Sequence, residues 1–205
     1  MFENAISVKT KKLFKTIAKQ DFINAFYLAG GTALALRLGH LISIDLDFFS
    51  KYNFHEKTIQ NKLKNLGNLT INQIETQTIN AILNDVKLSL IHYPYNLIAK
   101  SDDYFGIKIA SIEDIACMKI DAVSSRGTKR DFVDIYYICE HGFDLKNILN
   151  LFDEKYKGIK FNRLYQLKSL VYFEDADAQP MPKMLVKTDW EKVKMFFRTT
   201  VPKLV

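Results

Sequence analysis

Gly30-Gly31-Thr32-Ala33-Leu34-Ala35-Leu36-Arg37-Leu38-Gly39-His40-Leu41-Ile42-Ser43-Ile44-Asp45-Leu46-Asp47-Phe48-Phe49 is the stretch whose reading decides the fold. The apolar run Ala25–Ala29 before it reads as a buried strand that stops at two glycines. From Thr32 the residues become helix formers up to Gly39, so the order is strand, tight turn, short helix. The first N–H groups of such a helix have no internal partner and carry the positive end of its dipole. Glycines there let a phosphate come close to the main chain, and the turn is an anion site. A second strand is expected over residues 42–49, where Ser43, Asp45 and Asp47 alternate with Ile44, Leu46 and Phe48. The two aspartates then point the same way.

Carboxylates two apart on a strand lie roughly 6–7 Å apart at the backbone, close enough for their oxygens to share an ion. Left unpaired they repel, and one is driven toward protonation, so the pair asks for a cation. Mg²⁺ suits it, because it takes oxygen ligands and completes its shell with water and substrate phosphate. An Asp-x-Asp alone also fits a solvent-facing edge strand. The glycine turn beside it places a phosphate cradle and metal carboxylates in one unit, which is what nucleotide chemistry requires.

Gly30-Gly31-Thr32-Ala33-Leu34-Ala35, Leu38-Gly39-His40 and Ser43-x-Asp45-Leu46-Asp47-Phe48-Phe49 together resemble the signature of the AbiEii/AbiGii nucleotidyltransferase toxins, a MenT-like branch of the DNA polymerase β-like superfamily. Leu41 stands where such proteins often carry arginine after Gly-His.

Downstream, His55–Leu66 has a helical pattern stopped by Gly67. Three β-rich runs follow, at 69–76, 78–83 and 86–93, expected to extend the sheet antiparallel to the Asp45 strand. In the last, Asp85, Lys87 and Ser89 share one face. The resemblance implies a third carboxylate on a neighbouring strand, in a Lys-x-Asp pattern; this chain has Lys87-Leu88-Ser89. Serine is neither a charged base nor a strong Mg²⁺ ligand. Either Asp85 substitutes, a downstream aspartate such as Asp131 reaches in, or two carboxylates suffice. Lys87 reads as a phosphate contact or an ordinary surface lysine.

Residues 100–106 read as a linker, after which the pattern turns helical: Ser111 and Asp114 resemble a capping box, and Ile112, Ile115, Met118 and Ala122 form a core stripe with Lys119 at its edge. The cluster Arg126-Gly127-Thr128-Lys129-Arg130-Asp131 opens a further helix. Basic side chains on such a loop can clamp a triphosphate, arginine with bidentate geometry, while Thr128 and Asp131 can form a capping box. Lys119, Arg126, Lys129, Arg130 and Asp131 also resemble the later motifs of the same family, which complete its nucleotide site. Further helices are expected at 8–20, 144–156, 162–172 and 189–199, with an exposed loop over 174–182.

The chain's 205 residues, 48% of them hydrophobic, suffice for one full core. No run of about 18 apolar residues occurs, and the N-terminal residues lack a basic-then-apolar pattern, so no membrane segment and a cytoplasmic location are expected. Cys117 and Cys139 sit singly in apolar segments and read as reduced, buried thiols. A net charge of +6 suits a polyanionic partner, RNA or a nucleoside triphosphate, and equally a lysine-rich surface serving solubility.

The resulting expectation is an α/β (α+β) fold: a small mixed, mostly antiparallel nucleotidyltransferase sheet in a core at 1–100, and a helical part at 101–205 that completes the cleft. Its activity is Mg²⁺-dependent transfer of a nucleotide from an NTP. Asp45 and Asp47 hold the metals in a two-ion site, Gly30, Gly31, Thr32 and Ser43 hold phosphate, and Lys87, Lys119, Arg126, Lys129 and Arg130 meet the triphosphate charge. The resemblance implies a tRNA 3′ end as acceptor, a toxin role and a cognate antitoxin. A protein hydroxyl as acceptor, or a catalytically inactive nucleotide- or RNA-binding module, are the alternatives.

Overall fold

The computed structural model describes residues 1–204. Helix α1 (Val8–Ile17) starts under Ser7, whose hydroxyl accepts the Thr10 N–H, and buries Leu13, Phe14 and Ile17 while Lys9, Lys12 and Lys15 stay exposed. Strand β1 (Tyr27–Ala29) is buried throughout and runs directly into α2 (Gly30–Leu38). Gly39 ends that helix at φ +66, a backbone conformation glycine adopts without steric cost. Strand β2 (Leu46–Ser50) follows, then α3 (Glu56–Lys64), and β3 (Leu69–Glu75), β4 (Thr78–Leu83) and β5 (Val86–His92) form a meander.

Two short strands, β6 (Asp102–Tyr104) and β7 (Ile107–Ile109), occupy the expected linker and the residues just beyond it. Their local signal is weak at three residues each. Tertiary bonds fix them: Arg37 reaches Asp102 at 2.7 Å and the Ala110 carbonyl at 2.6 Å. The remaining chain is helical, with α4 (Ile112–Ser125), α5 (Lys129–Glu140), α6 (Leu145–Lys155), α7 (Arg163–Ser169), α8 (Glu174–Asp177) and α9 (Trp190–Thr200). α8 lies where an exposed loop was expected, because Ala176 is buried beneath it and the adjoining Phe173 packs against Phe132, Trp190 and Phe197.

The seven strands form one mixed, mostly antiparallel sheet in the order β3-β4-β5-β2-β1-β7-β6. β5 lies beside β2, but parallel to it rather than antiparallel. The chain leaving β2 crosses through α3, β3 and β4 before β5, and a crossover of that length allows the parallel pairing. β2 also begins later than expected, at Leu46. Before it Ser43 bridges Ile6 and Leu41 bridges Met184, and Asp45 lies just ahead of the regular strand.

The two faces of the sheet have different fates. Leu46, Phe48, Ile79, Ala81, Leu83, Leu88 and Leu90 are buried on one face, where Phe14 of α1 stacks on Phe48 at a centroid distance of 6.4 Å. Along β2 the burial alternates, so Asp47 and Phe49 belong to the other face, as do Ser89, Ile91 and Asn80 across the ladder. That second face is partly open, and α4 stands opposite it.

Candidate active site

A cleft lies between the open sheet face and α4. One part, a cavity of about 440 Å³, is lined by Asp47, Phe49, Asn80, Ser89, Ile91 and Tyr93 from the sheet side and Met118, Lys119, Asp121, Ala122 and Ser125 from α4. A second cavity of about 310 Å³ adjoins it through Gly31, Asp47, Lys119 and Arg126, and adds Ser43, Asp45, Thr128 and Arg130. The first has aromatic and aliphatic walls; the second is almost wholly polar.

The glycine turn belongs to both parts, and its glycines are required by what touches them. Gly30 has φ +66, and a methyl group there would stand 3.1 Å from an Asp47 carboxylate oxygen. At Gly31 it would stand 2.6 Å from the Arg130 guanidinium. Thr32 and Ser43 support the same corner. Their hydroxyls bond each other at 2.5 Å, Thr32 donates to the Asp45 carbonyl, and Arg130 donates to Ser43 at 2.6 Å. Arg130 is thus aimed across the turn from the other half of the chain.

Asp45 and Asp47 both line the polar cavity, and among the described residues neither forms an ion pair within the protein. Burial raises the Asp47 carboxyl above its ordinary range and Asp45 adds to the shift; a hydrogen bond from Ser89 and the charges of Lys119 and Arg130 oppose it. An acid so placed gains from a bound cation. Among the described residues no three His, Cys, Asp or Glu side chains converge as a ready metal cage. The donor set is therefore two carboxylates facing a cavity, which fits Mg²⁺, an ion that keeps waters and substrate phosphates in its shell, better than an ion that needs an all-protein cage.

The opposite wall is the reverse case. Lys119 is buried and pairs with Asp131 at 2.8 Å and Asp134 at 2.5 Å. Arg126 grips Asp131 with two bonds, at 2.9 and 3.0 Å, and Thr128, the N-cap of α5, donates to it at 2.6 Å. Asp134 also bonds the buried His40 at 2.8 Å. Burial pulls the Lys119 ammonium down, but its two carboxylates outweigh that and its titration moves up. Burial acts against both aspartates too, yet Lys119 holds each below the ordinary carboxylate range, helped by Arg126 at Asp131 and by His40 at Asp134.

The structure gathers Gly30, Gly31, Thr32, Ser43, Asp45, Asp47, Lys119, Arg126 and Arg130 at one corner. It places three expected residues elsewhere. Lys129 points into the helical layer, its ammonium 5.1 Å from the centre of the Trp190 ring. Asp85 sits in the β4–β5 turn, paired with Lys9 at 2.9 Å. Lys87 is exposed on β5 and lines neither cavity. Asp131, the other candidate third acid, is buried and spends its oxygens on Lys119, Arg126 and Thr128.

Ser89 stands directly across the ladder from Asp47. Asn80, Tyr93 and Asp121 are cleft residues that the sequence did not single out. For Asp121 a signal existed. Met118, Asp121, Ala122 and Ser125 recur at helical spacing, a stripe ending in a polar residue and so suited to a partly wet wall rather than a sealed core. Cys117 and Cys139 are free, and burial pushes each thiol up to about 12, as inert structural cysteines require.

The family model described as nucleotidyl transferase AbiEii toxin, type IV TA system, matches residues 11–96 and 67–203. An uncharacterized protein of Aquifex aeolicus (strain VF5), aq_aa25, is 36% identical over 197 residues, covering 93% of either chain. Among solved structures, JHP933 from Helicobacter pylori superposes with a TM-score of 0.54 at 18% identity, over 98% of this chain and 94% of that one. A candidate nucleotidyltransferase from H. pylori gives 0.55 at 18% identity over 100% and 97%. The two structural likenesses show a shared fold. No helix among the described residues is long and apolar enough to cross a membrane.

Proposed function

Because the chain belongs to the AbiEii nucleotidyl transferase toxin family and is a nucleotidyltransferase, we propose that it moves a nucleoside monophosphate from an NTP to an RNA acceptor, the 3′ end of tRNA, with Mg²⁺ held by Asp45 and Asp47. One observation carries the reading: two carboxylates that form no ion pair among the described residues face a glycine turn across which Arg130 is aimed, and Arg126 and Lys119 stand on the other side of the same cavity.

The polar cavity takes the triphosphate. Arg130 and Arg126 neutralise its β- and γ-oxygens, and the N–H groups at the start of α2 add the dipole's positive end. Lys119 is partly neutralised by its two aspartates, so it serves as a placed donor rather than a full free charge. A divalent ion on Asp45 and Asp47 supplies charge neutralisation at the α-phosphate when bound. The wider cavity, with Phe49, Ile91, Tyr93 and Met118, takes the terminal nucleoside of the acceptor. The family further supports a toxin role held in check by a cognate antitoxin.

The test is incubation of the protein with each α-labelled NTP and Mg²⁺, with total tRNA in one arm and extract protein in the other. Label on tRNA is the expected result. Label on protein alone replaces the acceptor, and NTP binding with no transfer in either arm, favoured by serine at position 89, replaces the enzyme with a binding module. Chelation by EDTA is expected to abolish transfer.

A further inference from the structure

Resting on the nucleotidyl-transfer reading, we propose that Asp121 of α4 is the general base that takes the proton from the acceptor hydroxyl. When an acceptor hydroxyl attacks the α-phosphorus, a new O–P bond forms, the bond from phosphorus to the bridging oxygen breaks, and pyrophosphate departs with that bond's electron pair. The hydroxyl proton must go to a group in the protein or to water, and a positioned base speeds this step.

In-line displacement fixes where that group stands. The leaving oxygen faces the triphosphate site, so the attacking oxygen approaches from the opposite side of the α-phosphorus. With the triphosphate in the cavity lined by Ser43, Thr128, Arg126 and Arg130, the space left for the attacking hydroxyl is the adjoining cavity of Asn80, Ser89, Tyr93 and Asp121, reached past the shared Asp47 and Lys119.

Elimination among the groups there leaves one base. Asp47 and Asp45 are committed to the cation. Ser89 is no base near neutral pH, and it stands across the ladder from Asp47. Tyr93 is protonated, since burial moves its phenol far upward. Lys119 and Arg126 are cations, and none of the four histidines lines either cavity. Asp131 lines neither, and its oxygens are taken. Asp121 alone is an acid in that cavity outside the metal pair, and among the described residues it forms no ion pair.

The polar and charged groups that line the cavity with it are Asp47, Asn80, Ser89 and Tyr93 from the sheet side, Lys119 of α4 and Arg126 just after it; the Tyr93 phenol and that of Tyr156 after α6 feel the Asp121 charge. Partial burial raises its carboxyl above the ordinary value, in the direction a better base needs.

The experiment compares wild type with Asp121→Asn, using the labelled NTP and tRNA assay beside equilibrium binding of the same NTP in Mg²⁺. The expected result is a rate lower by about 10²–10⁴-fold, NTP affinity within about twofold, and loss of the acidic limb of the pH–rate profile. Thermal unfolding should not move, because the side chain holds nothing in place. Asp121→Ser repeats the test with a smaller polar group. Adding Ser89→Asp to Asp121→Asn places an acid beside Asp47 and should recover at least about tenfold. Transfer by Asp121→Asn within about threefold of wild type, or a parallel loss of NTP binding, overturns the assignment. Absence of transfer by the wild type removes the nucleotidyl-transfer reading with it, whereas transfer by wild type and variant alike removes this inference alone.

Discussion

Asp47 on β2 and Asp134 on α5 both feel the Lys119 ammonium, yet their carboxyls move in opposite directions. Asp47 is driven up because burial outweighs its neighbours. Asp134 is driven down because Lys119 and His40 lie in contact with it, at 2.5 and 2.8 Å. The difference separates two uses of an acid. Asp131 and Asp134 have their charges answered by this chain and hold Lys119 and Arg126 in place. Asp45 and Asp47 are left unanswered, the condition for holding something from outside.

Breaking the answered side should cost the most. Asp134→Ala leaves Lys119 buried with one partner fewer and is expected to destabilise the protein by about 3–5 kcal/mol, read from urea unfolding, and to lower transfer as Lys119 shifts. Asp47→Asn should do the reverse. Transfer falls by about 10³-fold, equivalent to about 4 kcal/mol, while unfolding stability at pH 7 holds or rises. An unfolding defect as large as that of Asp134→Ala would erase the distinction.

The two acids also differ in pH response. Asp131 and Asp134 contribute stability above their unfolded values near pH 4, and it is lost as the pH falls through their depressed folded values. Asp47 has a raised folded value, so its contribution favours folding at low pH and fades as the pH rises through that value. The stability advantage expected for Asp47→Asn at pH 7 should therefore shrink on acidification, measurable as converging urea midpoints. Gly30→Ala sharpens the same corner. A side chain at φ +66 costs about 1–2 kcal/mol and presses on Asp47, so stability and metal-dependent transfer fall together. The smallest effect is at Lys129, where alanine removes a cation–π contact worth about 0.5–1 kcal/mol and should alter NTP affinity less than Arg130→Ala does.

Much of this was legible in the chain. The glycine turn, the one-sided alternation through Asp47, the β3–β5 meander and the caps at Ser111 and Thr128 are local patterns, and local patterns survive into the structure. Strand direction was not, because side-chain alternation is the same for parallel and antiparallel neighbours. β6 and β7 escaped notice because Arg37, some 65 residues distant from Asp102, is what pins them. Lys129 and Arg130 are adjacent, about 100° apart around α5, so one reaches the cleft and the other Trp190; a basic cluster gives no hint which. Asp121 was hidden by reading its helix as a core stripe.

The bridge between Leu41 and Met184 has a further consequence. The Ile42 amide donates to the Lys183 carbonyl at 2.8 Å, the Leu185 amide to the His40 carbonyl at 2.9 Å, and the Gln179 side chain accepts the Lys129 amide at 3.1 Å. The segment leading into the Asp45–Asp47 strand is therefore fastened by residues about 140 positions further along the chain. The rim beside Asp45 and Asp47 can be latched only once residues 179–185 exist, so it is completed long after the strand that carries the two aspartates.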